Sequence, residues 1–145
     1  MSEIYLKKLD ELTLMYFKAE SFPKGITGVW DKLDKTIPSM KGRKFYGAAR
    51  MIDGKMEYRA CVVPLNTNEP KELGMDTFTI PSSNYAAKKL HDWQSHIPEI
   101  REIFTELNQK FKANPGQYNL EYYKDNKELV IMLPILDTEV VKFNL

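Results

Sequence analysis

The residues best suited to chemistry sit in one short run, Leu120-Glu121-Tyr122-Tyr123, where a carboxylate and a phenol stand two positions apart. In a strand, Glu121 and Tyr123 project to the same face. If that face lines a groove, the pair can meet a flat cation through charge and cation–π contact. It can also work as a base beside a phenolic acid. If the face is wet, Glu121 is merely solvated and Tyr123 packs its ring, and alternation alone does not choose between these readings.

Other chemistries lack their residues. His91 and His96 are five apart and Cys61 is remote, and neither HExxH nor CxxC occurs, so no metal is expected. Cys61 lies in the apolar run Ala60-Cys-Val-Val and reads as a small buried hydrophobe. Nothing marks a nucleophile elbow. Lys41-Gly-Arg-Lys44 is a basic cluster that reads as a solvated turn, and no glycine-rich phosphate loop is present. Trp30 falls on an apolar helical face and reads as core, whereas Trp93, in the loop before a second helix, reads as a rim or lid.

Elements follow from periodicity. Leu12 to Phe17 reads as a strand, and Ile26, Val29, Trp30, Leu33 and Ile37 form one helical face that Pro38 helps to end. Lys44 to Ile52 and Met56 to Val63 read as a hairpin around Asp53-Gly54, which suits a type I′ turn. Counting outward places Arg50 opposite Glu57, an expected cross-strand ion pair, and Gly47 opposite Ala60. Asn66 to Gly74 is polar and reads as a linker. Thr77 to Ile80 and Tyr85 to Leu90 are strands, and Ser95 is a candidate cap for a helix through Ile97, Ile100, Phe104, Leu107 and Phe111. Gln117 to Lys124 and Glu128 to Ile135 form a last hairpin; the final nine residues carry little pattern.

The order strand, helix, strand, strand therefore occurs twice, offset by about 71 positions, since Ile26, Val29 and Leu33 map onto Ile97, Ile100 and Phe104. The expectation is an α+β fold of duplicated strand–helix–strand–strand modules with pseudo-twofold symmetry, an antiparallel sheet, two helices and a central groove. One domain, 1–145, would contain repeats at about 3–64 and 75–136, with a linker at about 65–74.

Composition narrows the function. The chain has 145 residues and 21 Lys+Arg against 20 Asp+Glu, a formal charge of +1 that excludes a domain-wide basic field for nucleic acid. Its longest apolar run, Leu129 to Leu136, is far below the ~20 residues that span a bilayer. Charged residues from Glu3 to Glu11 argue against a secretory signal, and a single cysteine fits a reducing, cytoplasmic setting.

Five stretches, in order, carry a family resemblance: Pro23-Lys-Gly-Ile-Thr-Gly-Val-Trp-Asp-Lys-Leu; Phe45-Tyr-Gly; Tyr58-Arg-Ala-Cys-Val; Phe78-Thr-Ile-Pro-Ser-Ser-Asn-Tyr-Ala; and Leu120-Glu-Tyr-Tyr with Met132-Leu-Pro-Ile. In these the chain resembles the GyrI-like family, the effector-binding domain of AraC- and MerR-type bacterial regulators. The resemblance implies a cleft for bulky aromatic or cationic molecules and, with no DNA-binding module in this sequence, a stand-alone form that does not contact nucleic acid directly. One departure matters: where many relatives carry an acidic residue after the Tyr-x-Ala-x-Val motif, this chain has Val63, followed by Pro64. Weight therefore shifts to Glu121, with Tyr123 in the motif's tyrosine position.

The reading favours a non-enzymatic protein that senses or sequesters a hydrophobic or aromatic ligand, a cationic one included. Tyr46, Tyr85, Trp93, Glu121 and Tyr123 are its candidate ligand contacts, with no cofactor. The alternatives are a hydrolase of cyclopropane-type electrophilic genotoxins, using Glu121 with Tyr123 or Tyr85, and a gyrase-inhibitor-like protective protein with DNA gyrase as partner. Homodimerisation stays open.

Overall fold

The computed structural model describes residues 3–144. Its elements run β1 (Tyr5–Leu9), β2 (Leu12–Lys18), α1 (Ile26–Thr36), β3 (Phe45–Ile52), β4 (Lys55–Val62), α2 (Glu69–Leu73), β5 (Asp76–Ile80), β6 (Ser83–His91), α3 (Ile97–Lys110), β7 (Asn119–Tyr123), β8 (Glu128–Ile135) and α4 (Asp137–Phe143). All strands join one antiparallel sheet in the order β1-β6-β8-β7-β3-β4-β2-β5.

That order exposes the duplication. Exchanging β1 with β5, β2 with β6, β3 with β7 and β4 with β8 and reading backwards returns the same sequence of strands. A pseudo-twofold axis therefore passes between β3 and β7, at the pair Gly47↔Glu121. Each half is strand, strand, helix, strand, strand, short helix, so the expected module is extended at both ends. The strands β1 and β2 sit near opposite edges of the sheet yet are joined by Asp10-Glu11 alone; β5 and β6, by Pro81-Ser82 alone. Such short links force the sheet to curl until its edges approach, giving a half-barrel.

Alternation sorts the side chains onto its two faces. The concave face holds one cluster drawn from both halves, including Leu14, Tyr46, Cys61, Ile80, Tyr85, Tyr118, Leu120 and Met132. On the convex face each long helix covers its own half: α1 lays Val29 and Leu33 on Met15, Tyr58, Ala60 and Val62, while α3 lays Ile103 and Leu107 on Leu129, Ile131 and Leu133. Two separate convex clusters leave a groove between the helices, over the axis.

The Asp53-Gly54 hairpin has the expected register, with Arg50↔Glu57, Gly47↔Ala60 and Phe45↔Val62. Asp53 and Gly54 both take positive φ, as a type I′ turn requires. Other local readings change. The polar stretch read as a linker contains α2, whose Glu69 is buried and bidentate with Arg43 at 2.6 and 3.2 Å. Arg43 also donates to the Val63 carbonyl at 3.2 Å, so it is a buried brace between segments and not part of a solvated turn. The residue before α3 is His96, not Ser95, which ends a 3-10 turn over Trp93–Ser95. The closing residues form α4.

Candidate functional site

Glu121 lies on the convex face of β7, at the floor of the groove between α1 and α3. Directly across the axis stands Gly47. A Cβ there would run into the Glu121 Oε1 and Tyr58 Oη atoms, so glycine vacates the space that the carboxylate fills. Two phenols meet that oxygen: Tyr58 donates to Glu121 Oε1 at 2.9 Å and Tyr123 donates to it at 2.8 Å. Tyr58 in turn accepts from the Trp30 indole N–H at 3.0 Å. A chain of donors thus runs from α1 through β4 to β7 and ends on one carboxylate oxygen. The other oxygen receives no protein donor among the described residues.

Burial is the largest influence on Glu121 and raises its pKa above the ordinary 4.5, while the two phenol hydrogen bonds pull it back. Its surface remains partly open because the groove gapes above it, even though protein crowds it on every other side. Burial, and then the Glu121 charge, push both Tyr58 and Tyr123 well above 10, so both stay protonated donors at neutral pH. No Lys, Arg or His nitrogen comes within 4.0 Å of the carboxylate among the described residues. The arrangement is a desolvated acid held by neutral donors, with no ion pair within 4.0 Å among the described residues.

The groove has two chambers. One, of about 580 Å³, is lined by Phe22, Tyr58, Ile97, Phe104, Glu121 and the exposed Arg101, which makes no ion pair with Glu121 within 4.0 Å. Phe22 and Ile97 are 44% and 56% exposed, large apolar side chains left uncovered at its mouth. The other, of about 440 Å³, is lined by Trp30, Phe45, Trp93, Tyr123 and the turn Lys124–Asn126. Tyr123 connects them: its hydroxyl meets Glu121, and its ring packs in T-shaped contact with Trp30 at 5.3 Å and Trp93 at 5.1 Å. Trp93 is fixed by its indole N–H to the Asp125 carbonyl at 3.1 Å.

Of the residues singled out in the sequence, Glu121, Tyr123 and Trp93 come together here. Tyr46 and Tyr85 do not. One residue's shift along a strand reverses the face, and both fall in the concave cluster with pKa values pushed up to about 12, burial being the first cause. Trp30 packs against the convex core of the first half, as expected, and also walls the second chamber. Glu57 also lies on the concave face, where Arg59 at 3.0 Å and Lys18 at 3.3 Å neutralise it, with Arg50 more distant at 3.8 Å. Val63 packs against the same concave cluster. Cys61 is buried there, its thiol pKa strongly raised by desolvation. Missed by sequence reasoning were Tyr58, Gly47 and Trp30. The glycine inside a confident strand was the available signal, since it marks a close approach.

Among the described residues, no cluster of three or more His, Cys, Asp or Glu could hold a metal, and no helix is long and apolar enough to cross a membrane. No protein-family model matches the chain, and no curated protein does at the level of sequence. Solved structures share the fold. An integron cassette protein from Vibrio cholerae superposes with a TM-score of 0.72 at 17% identity, over 92% of this chain and 95% of its own. SAV2435, solved bound to tetraphenylphosphonium, gives 0.70 at 19% identity, over 95% and 96%. The EcmrR C-terminal domain gives 0.64 at 11% identity, over 94% and 98%. The chain thus has the fold of these proteins over almost its whole length.

Proposed function

We propose that this protein is a GyrI-like small-molecule binder whose groove takes a hydrophobic aromatic cation. The observation that carries this reading is the Glu121 carboxylate: desolvated, braced by two phenol donors, set among aromatic rings and free of any ion pair within 4.0 Å among the described residues. A ligand cation would supply the opposite charge, and the aromatic wall of Trp30, Phe45 and Trp93 would pack against its rings. The tetraphenylphosphonium bound to SAV2435, a protein of the same fold, supports the choice of ligand class. A sensing or sequestering role needs only this reversible binding.

Both tryptophans line the second chamber, so intrinsic fluorescence reports on occupancy. Titration with tetraphenylphosphonium should quench it saturably, whereas triphenylphosphine oxide, bulky but uncharged, should bind at least about tenfold more weakly, a difference of ~1.4 kcal/mol. Equal affinity for the two compounds would remove the charge role from Glu121 and leave only an apolar groove.

A further inference from the structure

The concave face carries a second cavity, and the internal duplication shows why it is open. In the first half the Arg59 guanidinium fills the mouth of the half-barrel, stacked over the rings of Tyr16 at 4.1 Å, Phe78 at 4.6 Å and Tyr118 at 5.4 Å. Glu57 anchors it at 3.0 Å. With the axis at Gly47↔Glu121, the strand registers give the pseudo-equivalent of each of these residues in the second half. Arg59 becomes Val130 and Tyr16 becomes Ala87, while Phe78 and Tyr118 become Lys7 and Lys44. Glu57 becomes Glu128. The plug and its three aromatic plates are replaced by two small apolar side chains and two ammonium groups.

What results is an open trough of about 790 Å³ rimmed by Lys7, Lys44, Lys89 and Lys124. Its acids are Glu3 and Glu128, and Glu128 already pairs with Lys124 at 3.2 Å. Among the described residues, Lys7, Lys44 and Lys89 have no carboxylate within 4.0 Å. The floor is apolar and flat: Val130 and Met132 lie beside the stacked rings of Tyr46 and Tyr122, 4.9 Å apart and 25° from parallel.

We infer that this trough is a second ligand site, distinct from the groove, which binds a compact aromatic anion such as an aryl phosphate or aryl carboxylate. The ring occupies the space over Val130 that a guanidinium fills in the other half, and the anionic group lies among Lys7, Lys44 and Lys89. The polarity is inverted relative to the first half, where rings surround a planar cation. The inference stands apart from the cation reading of the groove, on the other face of the sheet.

Calorimetric titration with 1-naphthyl phosphate and 1-naphthoate tests it, with 1-naphthol and inorganic phosphate as the neutral and ring-free controls. Both naphthyl anions should bind, and each control at least about tenfold more weakly. The doubly substituted K44Q/K89Q protein, altered only at exposed side chains, should lose about tenfold in affinity. K7F/K44Y, which rebuilds two of the missing plates, should also weaken binding. Glu121→Gln should bind the anions as wild type does. The inference is overturned by no heat at millimolar naphthyl phosphate, by naphthol or phosphate binding equally well, or by indifference to the lysine substitutions. Displacement by tetraphenylphosphonium would place the anion in the groove and overturn it as well.

Discussion

At Glu121 a single oxygen accepts from two tyrosines, and only because position 47 has no side chain. Gly47→Ala should therefore collapse the site: the added methyl meets the carboxylate and the Tyr58 hydroxyl, forcing one of them aside. Overpacking of this kind costs about 1–3 kcal/mol, readable by chemical denaturation, and cation binding should vanish with it. Glu121 itself is costly to the fold. A carboxyl whose folded pKa is raised binds its proton more tightly in the native state, so stability is lost as pH rises past the unfolded value and through the folded one. Glu121→Gln, with no charge to desolvate, should melt at an equal or higher temperature than wild type at pH 7 while binding cations less well. A clear drop in melting temperature would mean that the ionised carboxylate supports the fold. The sequence showed Glu121 and Tyr123 sharing a face; it hid Tyr58, because that hydroxyl reaches Glu121 only across β3, through a pairing between the two halves.

Among the elements, the short helix α2 is the least foreseeable and among the most firmly held. Its Glu69 accepts from both terminal nitrogens of Arg43 and from the Leu65 backbone N–H at 3.0 Å, tying the segment before β3 to the exit of β4. Removing one partner strands a buried charge, so Arg43→Ala should cost about 3–5 kcal/mol in denaturant titrations, whereas the double replacement R43M/E69L should recover much of it. If R43A were nearly neutral, water would already be reaching the pair. Local chemistry made the Asp53-Gly54 hairpin legible down to its register, since the turn type alone fixes which residues oppose. Polar composition concealed α2, because its stability lies in one ion pair between residues 26 positions apart and not in an apolar stripe.

For the whole molecule, the repeat was visible as an offset near 71, which the helices miss by one turn, since buried Val29 and Leu33 correspond to Ile103 and Leu107; the exchange of strands was not visible. β1 opens the first half yet pairs with β6 of the second, and β5 opens the second yet pairs with β2 of the first. Two-residue links carry no pattern that reveals so distant a partner. With edge strands exchanged and one concave cluster shared, neither half completes its concave core alone, and thermal unfolding followed by far-ultraviolet dichroism and by tryptophan fluorescence should give coincident single transitions. Two resolved transitions would mean the halves are separate folding units. The same scale frames binding. With a formal charge of +1, the chain exerts little long-range pull on a cation, so the proposed binding rests on short-range attraction by Glu121. The most direct measurement is the calorimetric affinity for tetraphenylphosphonium across pH, in wild type and in Glu121→Gln. Wild-type affinity should fall as pH drops from neutrality through the raised Glu121 pKa, while the variant binds weakly and without pH dependence. The same strong, pH-independent affinity in both proteins would contradict the assignment of Glu121 as the countercharge.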